Sequence, residues 1–307
     1  MEALWAQNTR TNAIGNVRQP TENPAMEALI QAKFPGAISN KQLEQAVVRI
    51  LDDRGLTPRN TLLATSLCAD ELARAMEDDF VKIYGNNFNL GGLSGFPFAG
   101  NTGFGAMSGH IPDDGYCFII YGPHVGVTRD GIVGKVERNG IALVDSCCGS
   151  AIAASKYLQQ LTAGTAVVSN AFGMDLGSDF QQGAVQELIL PHGKRLEDAA
   201  DRMVELPYAL YDSQDVLMND IVQVGAAGVK RGCALLGGIQ INTGPTTYDY
   251  FHPLRFDFVN NQGEVIENLL PELTGNYGDT SMDYYGGGYE DTTNNFGGDE
   301  YYGSEYE

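Results

Sequence analysis

The sequence is short of positive charge. Its 19 lysine and arginine residues stand against 39 aspartate and glutamate residues, which gives a formal net charge of −20 at pH 7. A surface with this excess of negative charge repels phosphate backbones and anionic membranes, and no local cluster of basic residues overrides the repulsion. We therefore expect neither a nucleic-acid partner nor insertion into a membrane.

Long hydrophobic runs are also lacking. A membrane-spanning helix needs roughly 18 or more consecutive apolar residues, and no segment approaches that length. The opening residues, MEALWAQNTRTN, do not follow the charged-then-apolar pattern of a secretory signal. The expectation is a soluble protein of the cytoplasm, or of an organellar stroma if a transit peptide has been removed.

Cysteine is scarce and odd in number, since the 307 residues contain five. Such a count in a large chain does not indicate a disulfide framework, so free cysteines that either pack in the core or do chemistry are expected. The glycine-rich stretches GGLSG and GNTGFG are not followed by the Gly-Lys-Ser/Thr of a phosphate loop, which argues against a nucleotide.

Composition and periodicity divide the chain into three units. Residues 1–58 contain two amphipathic helical patterns that pack on the body, and residues 59–273 form an α/β domain. Residues 274–307 are rich in glycine, tyrosine and acidic residues, without any lysine or arginine. We interpret this last unit as a disordered acidic tail, with a docking peptide for a protein partner as the alternative.

Three apolar runs predict strands of a mostly parallel sheet flanked by helices. They are NTLLATSLC, YCFIIYGPHVGV and GIALVDS, and the first and third are followed directly by helical patterns. The strands end near Cys68, near His124 and near the pair Cys147 and Cys148. Two later runs, CALLGGIQINTG and YDYFHPLRFDFV, predict further strands.

The ends of these strands suggest a metal site. In an open parallel sheet the carboxyl ends of the strands gather ligands, so Cys68, His124 and one of the paired cysteines can converge there. Two thiolates and one imidazole leave a fourth position open on a tetrahedral zinc ion, which is the composition of a catalytic site. Sulfur and nitrogen donors without clustered carboxylates favour zinc over magnesium or calcium.

Two choices within this set stay open. Cys148 directly precedes Gly149 at the predicted helix start and is the favoured sulfur ligand, with Cys147 as the alternative on the other side of the strand. His124 is favoured over His110 as the nitrogen ligand because His110 follows a loop. His110 is also a candidate for carrying protons away from the site, which suits the pKa of imidazole.

The segment CADELAR adds a possible charge pair. Asp70 and Arg74 lie four residues apart on the helix that follows Cys68 and can share one of its faces. The carboxylate would accept a hydrogen bond from a zinc-bound water, and the arginine would keep it ionised and off the metal. An ordinary surface ion pair is the alternative interpretation.

These motifs carry a resemblance to a known family. CADELAR is similar to the Cys-x-Asp-x-Arg signature of β-class carbonic anhydrases, with two extra residues before the arginine. IIYGPHVGV and DSCCGSAIAA look like two separated halves of the Gly-His-x-x-Cys-Gly motif of that class. The block GGLSGFPFAGNTGFGAMSGHIPDDG more specifically resembles the limiting-CO2-inducible B/C family, also called θ-class carbonic anhydrases.

The resemblance implies a β-carbonic-anhydrase-like fold, usually dimeric, with a zinc cofactor held by Cys68, His124 and one of the paired cysteines, Cys148 or Cys147. It implies reversible hydration of CO2 to bicarbonate by zinc-bound hydroxide, with Asp70 and Arg74 as the gating pair. A catalytically inactive zinc scaffold of the same family and a Cys-His thiol enzyme are the alternative functions. Aromatic side chains of the glycine-rich block are candidates for lining a CO2 pocket, namely Phe96, Phe98 and Phe104.

Overall fold

The computed structural model describes residues 20–138, 144–167 and 178–275. The division into units 1–58, 59–273 and 274–307 stays a prediction, and nearly all of the predicted tail lies outside the described residues. None of the described helices combines the length and the hydrophobicity that crossing a bilayer requires.

The described residues form ten strands and nine α-helices. The strands are β1 (Ile38–Ser39), β2 (Thr61–Ser66), β3 (Asn87–Asn89), β4 (Tyr116–Tyr121), β5 (His124–Gly126), β6 (Lys135–Glu137), β7 (Val144–Ser146), β8 (Cys233–Asn242), β9 (Tyr250–Val259) and β10 (Val265–Asn268). The helices are α1 (Pro24–Lys33), α2 (Asn40–Asp52), α3 (Arg74–Tyr84), α4 (Gly100–Ser108), α5 (Gly149–Thr162), α6 (Phe180–Leu188), α7 (Gly193–Asp198), α8 (Arg202–Gly225) and α9 (Leu270–Thr274).

Eight of these strands form one sheet with a parallel centre. Its main order is β1-β9-β8-β4-β2-β3, with β10 also paired to β9 and β5 also paired to β8. Strand β2 runs parallel to β3 and β4, and β8 runs parallel to β4 and β5. Only β9 pairs antiparallel, with β1, β8 and β10. The predicted α/β class, a mostly parallel sheet flanked by helices, is confirmed.

The apolar runs are explained by burial on both faces of the sheet. Along β4, Phe118 and Ile120 belong to one core cluster, whereas Ile119 and Tyr121 belong to the other. Helices α2, α3 and α5 contribute to the first cluster, and α1 and α4 contribute to the second. A central strand covered on both faces has no polar side to alternate with, so its sequence is continuously apolar.

The two predicted N-terminal helices are confirmed as α1 and α2. Ser39 caps α2, since its hydroxyl accepts a hydrogen bond from the backbone N–H of Gln42, and its own backbone N–H donates to the side-chain oxygen of Gln42. Leu43, Val47 and Ile50, at helical spacing, are fully buried. The apolar face of α2 therefore packs on the sheet as the periodicity predicted.

The third apolar run behaves differently from the prediction. Only Val144–Ser146 of GIALVDS forms a described strand, and it pairs antiparallel with β6 in a separate two-stranded sheet. All three residues of β7 are exposed, so this strand lacks the two-sided burial that a central parallel strand requires. Cys147 and Cys148 therefore directly follow a strand of this second sheet and not a strand of the main sheet.

The two later predicted strands are confirmed as β8 and β9. Between residues 178 and 225 the chain forms three helices, α6, α7 and α8. Pro191 lies in the short 3₁₀ turn between the first two, where a proline cannot donate the backbone hydrogen bond that a continuing helix needs.

Candidate metal centre

Three of the predicted ligands meet at the carboxyl edge of the sheet. One donor atom from each of Cys68, His124 and Cys148 lies within 4.8 Å of the others, and all three residues are buried. The sulfur atoms of Cys68 and Cys148 are 3.8 Å apart. These residues could therefore hold a metal ion, while their role as ligands stays a prediction.

Each ligand candidate is placed by a different element. Cys68 follows the end of β2 by two residues, His124 begins β5, and Cys148 is the N-cap of α5. Between β4 and β5 the chain turns at Gly122, where an added Cβ atom would lie 1.7 Å from the carbonyl oxygen of Gly238. Only glycine permits this close approach, which brings His124 alongside β8.

The orientation of the His124 ring leaves one nitrogen available. Nδ1 lies 2.9 Å from Oδ1 of Asn242. Nε2 is buried and has no hydrogen-bond partner among the described residues. A buried imidazole nitrogen without a partner is costly, and a metal ion in contact with the two sulfurs would satisfy it. The donor set and this unpaired atom fit a bound metal.

Cys147 takes a position behind the imidazole. Its sulfur lies 3.4 Å from Nδ1 of His124 and 3.7 Å from Oδ1 of Asn242, on the side opposite the free nitrogen. Its backbone is held by bonds to Gly126 and Gly134. The arrangement therefore agrees with the preference for Cys148 over Cys147 as the sulfur that converges with Cys68.

The protein environment shares one proton between the two converging sulfurs. A hydrogen bond from Cys68 outweighs the effect of burial and lowers the pKa of Cys148 well below its usual value. The same hydrogen bond, together with burial, raises the pKa of Cys68. Burial alone would lower the pKa of His124, but Cys147 and Cys148 raise it well above the usual value. These directions favour the charged form at Cys148 and the neutral form at Cys68.

The expected ion pair between Asp70 and Arg74 is wrong. Asp70 is instead held by Arg138, whose Nη1 and Nη2 lie 3.0 and 2.9 Å from the two carboxylate oxygens. Burial opposes ionisation of Asp70, but the bonds from Arg138 and from the Leu72 backbone N–H outweigh it and lower the pKa of this carboxyl well below its usual range. The charge on His124 acts in the same direction.

Arg74 has a different task. It forms an ion pair with the buried Glu77 and donates from Nη2 to the backbone carbonyl of Cys68 at 2.5 Å. The helix expected directly after Cys68 begins only at Arg74, and a 3₁₀ turn over Glu71–Ala73 precedes it. Asp70 and Arg74 are therefore not one α-helical turn apart, and the spacing argument fails for this reason.

His110 lies away from the three ligand candidates. Its side chain is exposed, and its ring contacts Phe88 on the edge strand β3, with 5.8 Å between the ring centres. The proton-carrying role suggested for His110 stays a prediction, with no contact between this residue and the converging side chains in the described part of the chain.

Two residues at the site were missed by sequence reasoning. Ser94, in the glycine-rich block, is fully buried, and its hydroxyl lies 3.7 Å from the Cys148 sulfur. It has a φ of 56°, and its carbonyl accepts a bond from Gln214. Arg138 comes from the end of β6. Nothing in its local sequence singles it out, whereas the unusual GGLSG stretch was a signal that Ser94 occupies a special backbone position.

A small cavity adjoins two of the three ligand candidates, His124 and Cys148. It has a volume of about 10 Å³, close to the roughly 10–15 Å³ that one water molecule needs. His124, Cys147 and Cys148 form one wall, and apolar side chains of α5 and α8, including Ile152 and Leu206, form the other. The three phenylalanines expected to line a pocket do not line this cavity.

Comparison with known proteins gives a match over most of the chain. Residues 37–260 match the family model described as limiting CO2-inducible proteins B/C beta carbonic anhydrases. The chain belongs to this limiting-CO2-inducible B/C family. A search of curated protein sequences gave no match.

Solved structures agree with membership of the limiting-CO2-inducible B/C family. The crystal structure of PtLCIB4, a homolog of the limiting CO2-inducible protein LCIB, is 42% identical, with a TM-score of 0.73, and the match covers 79% of this chain and 99% of that one. A point mutant of PtLCIB4 is 41% identical, with a TM-score of 0.75, and the match covers 80% of this chain and 99% of the mutant chain. LCIB itself is 19% identical, with a TM-score of 0.60. The match covers 77% of this chain and 96% of LCIB and shows the shared fold.

Proposed function

We propose that this chain catalyses the reversible hydration of CO2 to bicarbonate with a zinc ion held by Cys68, His124 and Cys148. The observation that carries the proposal is the convergence of two buried sulfurs and one unpaired imidazole nitrogen. Membership of a β-carbonic-anhydrase family supports it.

The donor set favours zinc. Cysteine sulfur and imidazole nitrogen are its usual protein ligands, and three protein ligands leave a fourth position for a water molecule or a substrate. When bound, zinc would supply the Lewis acidity that lets water ionise near neutral pH. Among the described residues, no other group of three or more histidine, cysteine or acidic side chains has metal-binding geometry.

Two features of the chain would assist the reaction. Arg138 engages both oxygens of Asp70, which keeps the carboxylate ionised, hydrogen-bonded and turned away from metal coordination. The apolar wall of the cavity beside His124 and Cys148 suits the nonpolar CO2 molecule. The same wall disfavours retention of a bicarbonate ion, because burying an unpaired charge costs free energy.

The decisive experiment combines a metal assay with stopped-flow CO2 hydration over about pH 7 to 9. We expect one zinc ion per chain and hydration above the buffer background, both removed by a strong chelator and both restored by zinc. Cys68→Ala should lower zinc content and hydration at least about 100-fold, because two ligands cannot complete the site. Cys117→Ala is the matched control, since this buried cysteine packs against Met107 in the other core cluster.

Two other outcomes would replace the proposal. Bound zinc with hydration at the background would indicate a non-enzymatic scaffold. Metal-free protein that is alkylated selectively at Cys148 would indicate a thiol enzyme, which the lowered pKa of this cysteine at a helix start would suit. We also propose that the chain forms a homodimer, and light scattering of the zinc-loaded protein tests this.

A further inference from the structure

The side chain of Asn242 touches every segment that carries a ligand candidate. It is buried at the end of β8, with Oδ1 2.9 Å from Nδ1 of His124 and 3.7 Å from the sulfur of Cys147. Its Nδ2 lies 2.9 Å from Oδ2 of Asp249 and 3.3 Å from the carbonyl oxygen of Leu72. One amide therefore connects the turn after Cys68, the imidazole and the hairpin before Cys148.

The partners of Asn242 determine which way its amide points. Nδ2 faces two groups that only accept hydrogen bonds, the Asp249 carboxylate and the Leu72 carbonyl. Oδ1 must then face His124, and an oxygen in that position can only accept. In the neutral imidazole, the form that can bind a metal, Nδ1 of His124 must therefore carry the proton, which leaves the lone pair on Nε2, the atom without a partner.

Asp249 is itself held in place by the backbone. Its Oδ1 accepts from the N–H of Thr243 at 2.8 Å, across the loop that joins β8 to β9. This leaves Oδ2 for Asn242. The carboxylate is thus fixed by a tight connection of the main sheet, and the amide that it orients cannot turn over without losing both bonds from Nδ2.

We propose that Asp249 and Asn242 are positioning residues that select the Nδ1-protonated form of His124 and so set the metal affinity of the centre. Carboxylates and amides behind a ligating imidazole act in this way in metal sites generally, and their loss typically costs 10- to 100-fold in affinity. The inference rests on the metal site of the proposed function but does not depend on turnover.

The sharpest test is Asp249→Asn, a change of one atom at a residue that does not touch the imidazole. The new side chain keeps its oxygen on the Thr243 N–H and presents an NH2 group to Asn242. The Asn242 amide must then turn over and offer its own NH2 to His124, which moves the ring proton to Nε2. We expect zinc and cobalt affinity to fall about 10- to 100-fold.

A swapped pair should rescue the loss. In the double variant Asn242→Asp with Asp249→Asn, the new amide donates to the new carboxylate, and the carboxylate again accepts from Nδ1 of His124. We expect the zinc and cobalt affinity of this double variant to lie within about fivefold of that of the original chain. Asn242→Leu has no acceptor for the Nδ1–H of His124 and should bind zinc and cobalt as weakly as Asp249→Asn.

Affinity is measured by competition with a chromophoric chelator, and cobalt absorption reports the ligand set. The matched control is Asn219→Leu, since Asn219 also lies between a carboxylate, Asp215, and a second polar partner, Arg255, but far from the imidazole. This control should lose stability and keep its metal affinity. Thermal melting of the metal-free variants shows whether a variant has misfolded or has lost only its metal site. The double variant keeps the test valid if Asn242→Leu does not fold.

Either of two results would overturn the inference: Asp249→Asn binding metal as tightly as the original chain, or the swapped pair binding as weakly as Asp249→Asn. An original chain that takes up no metal would remove the inference together with the proposed function. Zinc binding without CO2 hydration removes only the proposed activity, because the affinity differences among variants can still be measured.

Discussion

Two buried polar clusters lie on the same sheet and differ in how completely they are paired. In the cluster around Arg255, the guanidinium lies 3.0 Å from Asp215, 2.6 Å from Asp257 and 2.7 Å from Asn219. Tyr121 also donates to Asp215. Within the described residues, no buried side-chain atom of this cluster lacks a partner.

The cluster at the carboxyl edge of the sheet is incomplete by the same measure. His124 has a buried nitrogen without a hydrogen-bond partner. The sulfurs of Cys68 and Cys148 contact each other, and Cys148 also contacts the Ser94 hydroxyl. An unpaired buried atom alone is not diagnostic, because the hydroxyl of Tyr84 also lacks one. What distinguishes the candidate metal centre is that the unpaired nitrogen converges with two sulfur donors. In the Arg255 cluster, by contrast, the charges pair with one another, and these ion pairs link α8 to the sheet.

Among the variants that test this comparison, the largest effect should come from replacing the arginine that pairs with Asp70. We expect Arg138→Leu to lower CO2 hydration about 10- to 100-fold while zinc content stays the same, because the freed carboxylate gains a proton or approaches the metal. Stopped-flow hydration and zinc analysis measure the two quantities.

The matched variant is Arg74→Leu, which leaves the Asp70–Arg138 pair intact and removes the partner of Glu77. Its rate of CO2 hydration should stay within about threefold of that of the original chain, while its free energy of unfolding falls by about 1–2 kcal/mol. Equal losses of hydration in both variants would contradict the assignment of Arg138.

Removing a charge from the Arg255 cluster should lower stability and leave the metal centre unchanged. Asp215→Ala removes one of the two contacts that Arg255 makes with α8, since Asn219 on the same helix still accepts a bond from the guanidinium. We expect the free energy of unfolding to fall by about 2 kcal/mol, between the values for exposed and for fully buried pairs. Zinc content and hydration per folded chain should not change. Chemical denaturation gives the first quantity, and a loss of metal at native conditions would show that the two clusters are not independent.

The smallest expected effect is a pH dependence of stability from Asp249. Burial raises the pKa of this carboxyl to about 6 from 3.8, against hydrogen bonds from Thr243 and Asn242 that lower it. The folded chain then holds the proton more tightly than the unfolded chain, so the contribution of Asp249 to stability is lost as the pH rises from about 4 to about 6.

The measurement compares metal-free original chain with metal-free Asp249→Asn by denaturation at several pH values. The original chain should lose stability relative to the variant up to about pH 6 and keep a constant difference above it. The shift sets an upper limit of about 3 kcal/mol, and partial exposure of the side chain brings the expected change to about 1 kcal/mol. A difference that does not change between pH 4 and 7 would show that Asp249 titrates normally.

Much of the fold and part of the site could be predicted from local sequence. Apolar runs report burial on both faces, and this was enough for the central strands β2 and β4 and for the approach of Cys68 and His124. The exposed strand β7 gives no such signal, because three residues of a hairpin do not need an apolar face. The position of Cys148 was nevertheless predicted, since a cysteine followed by glycine at a helix start is a local feature.

The sequence by itself determined which residue types were available to a metal and which strand ends would carry them, because strand and helix periodicity are local properties of the chain. Only the tertiary structure decided that Asp70 pairs with Arg138 and that Asn242, backed by Asp249, lies behind the imidazole. These contacts join segments far apart in sequence. Their energies depend on distance and orientation after folding, and no spacing along the chain encodes either.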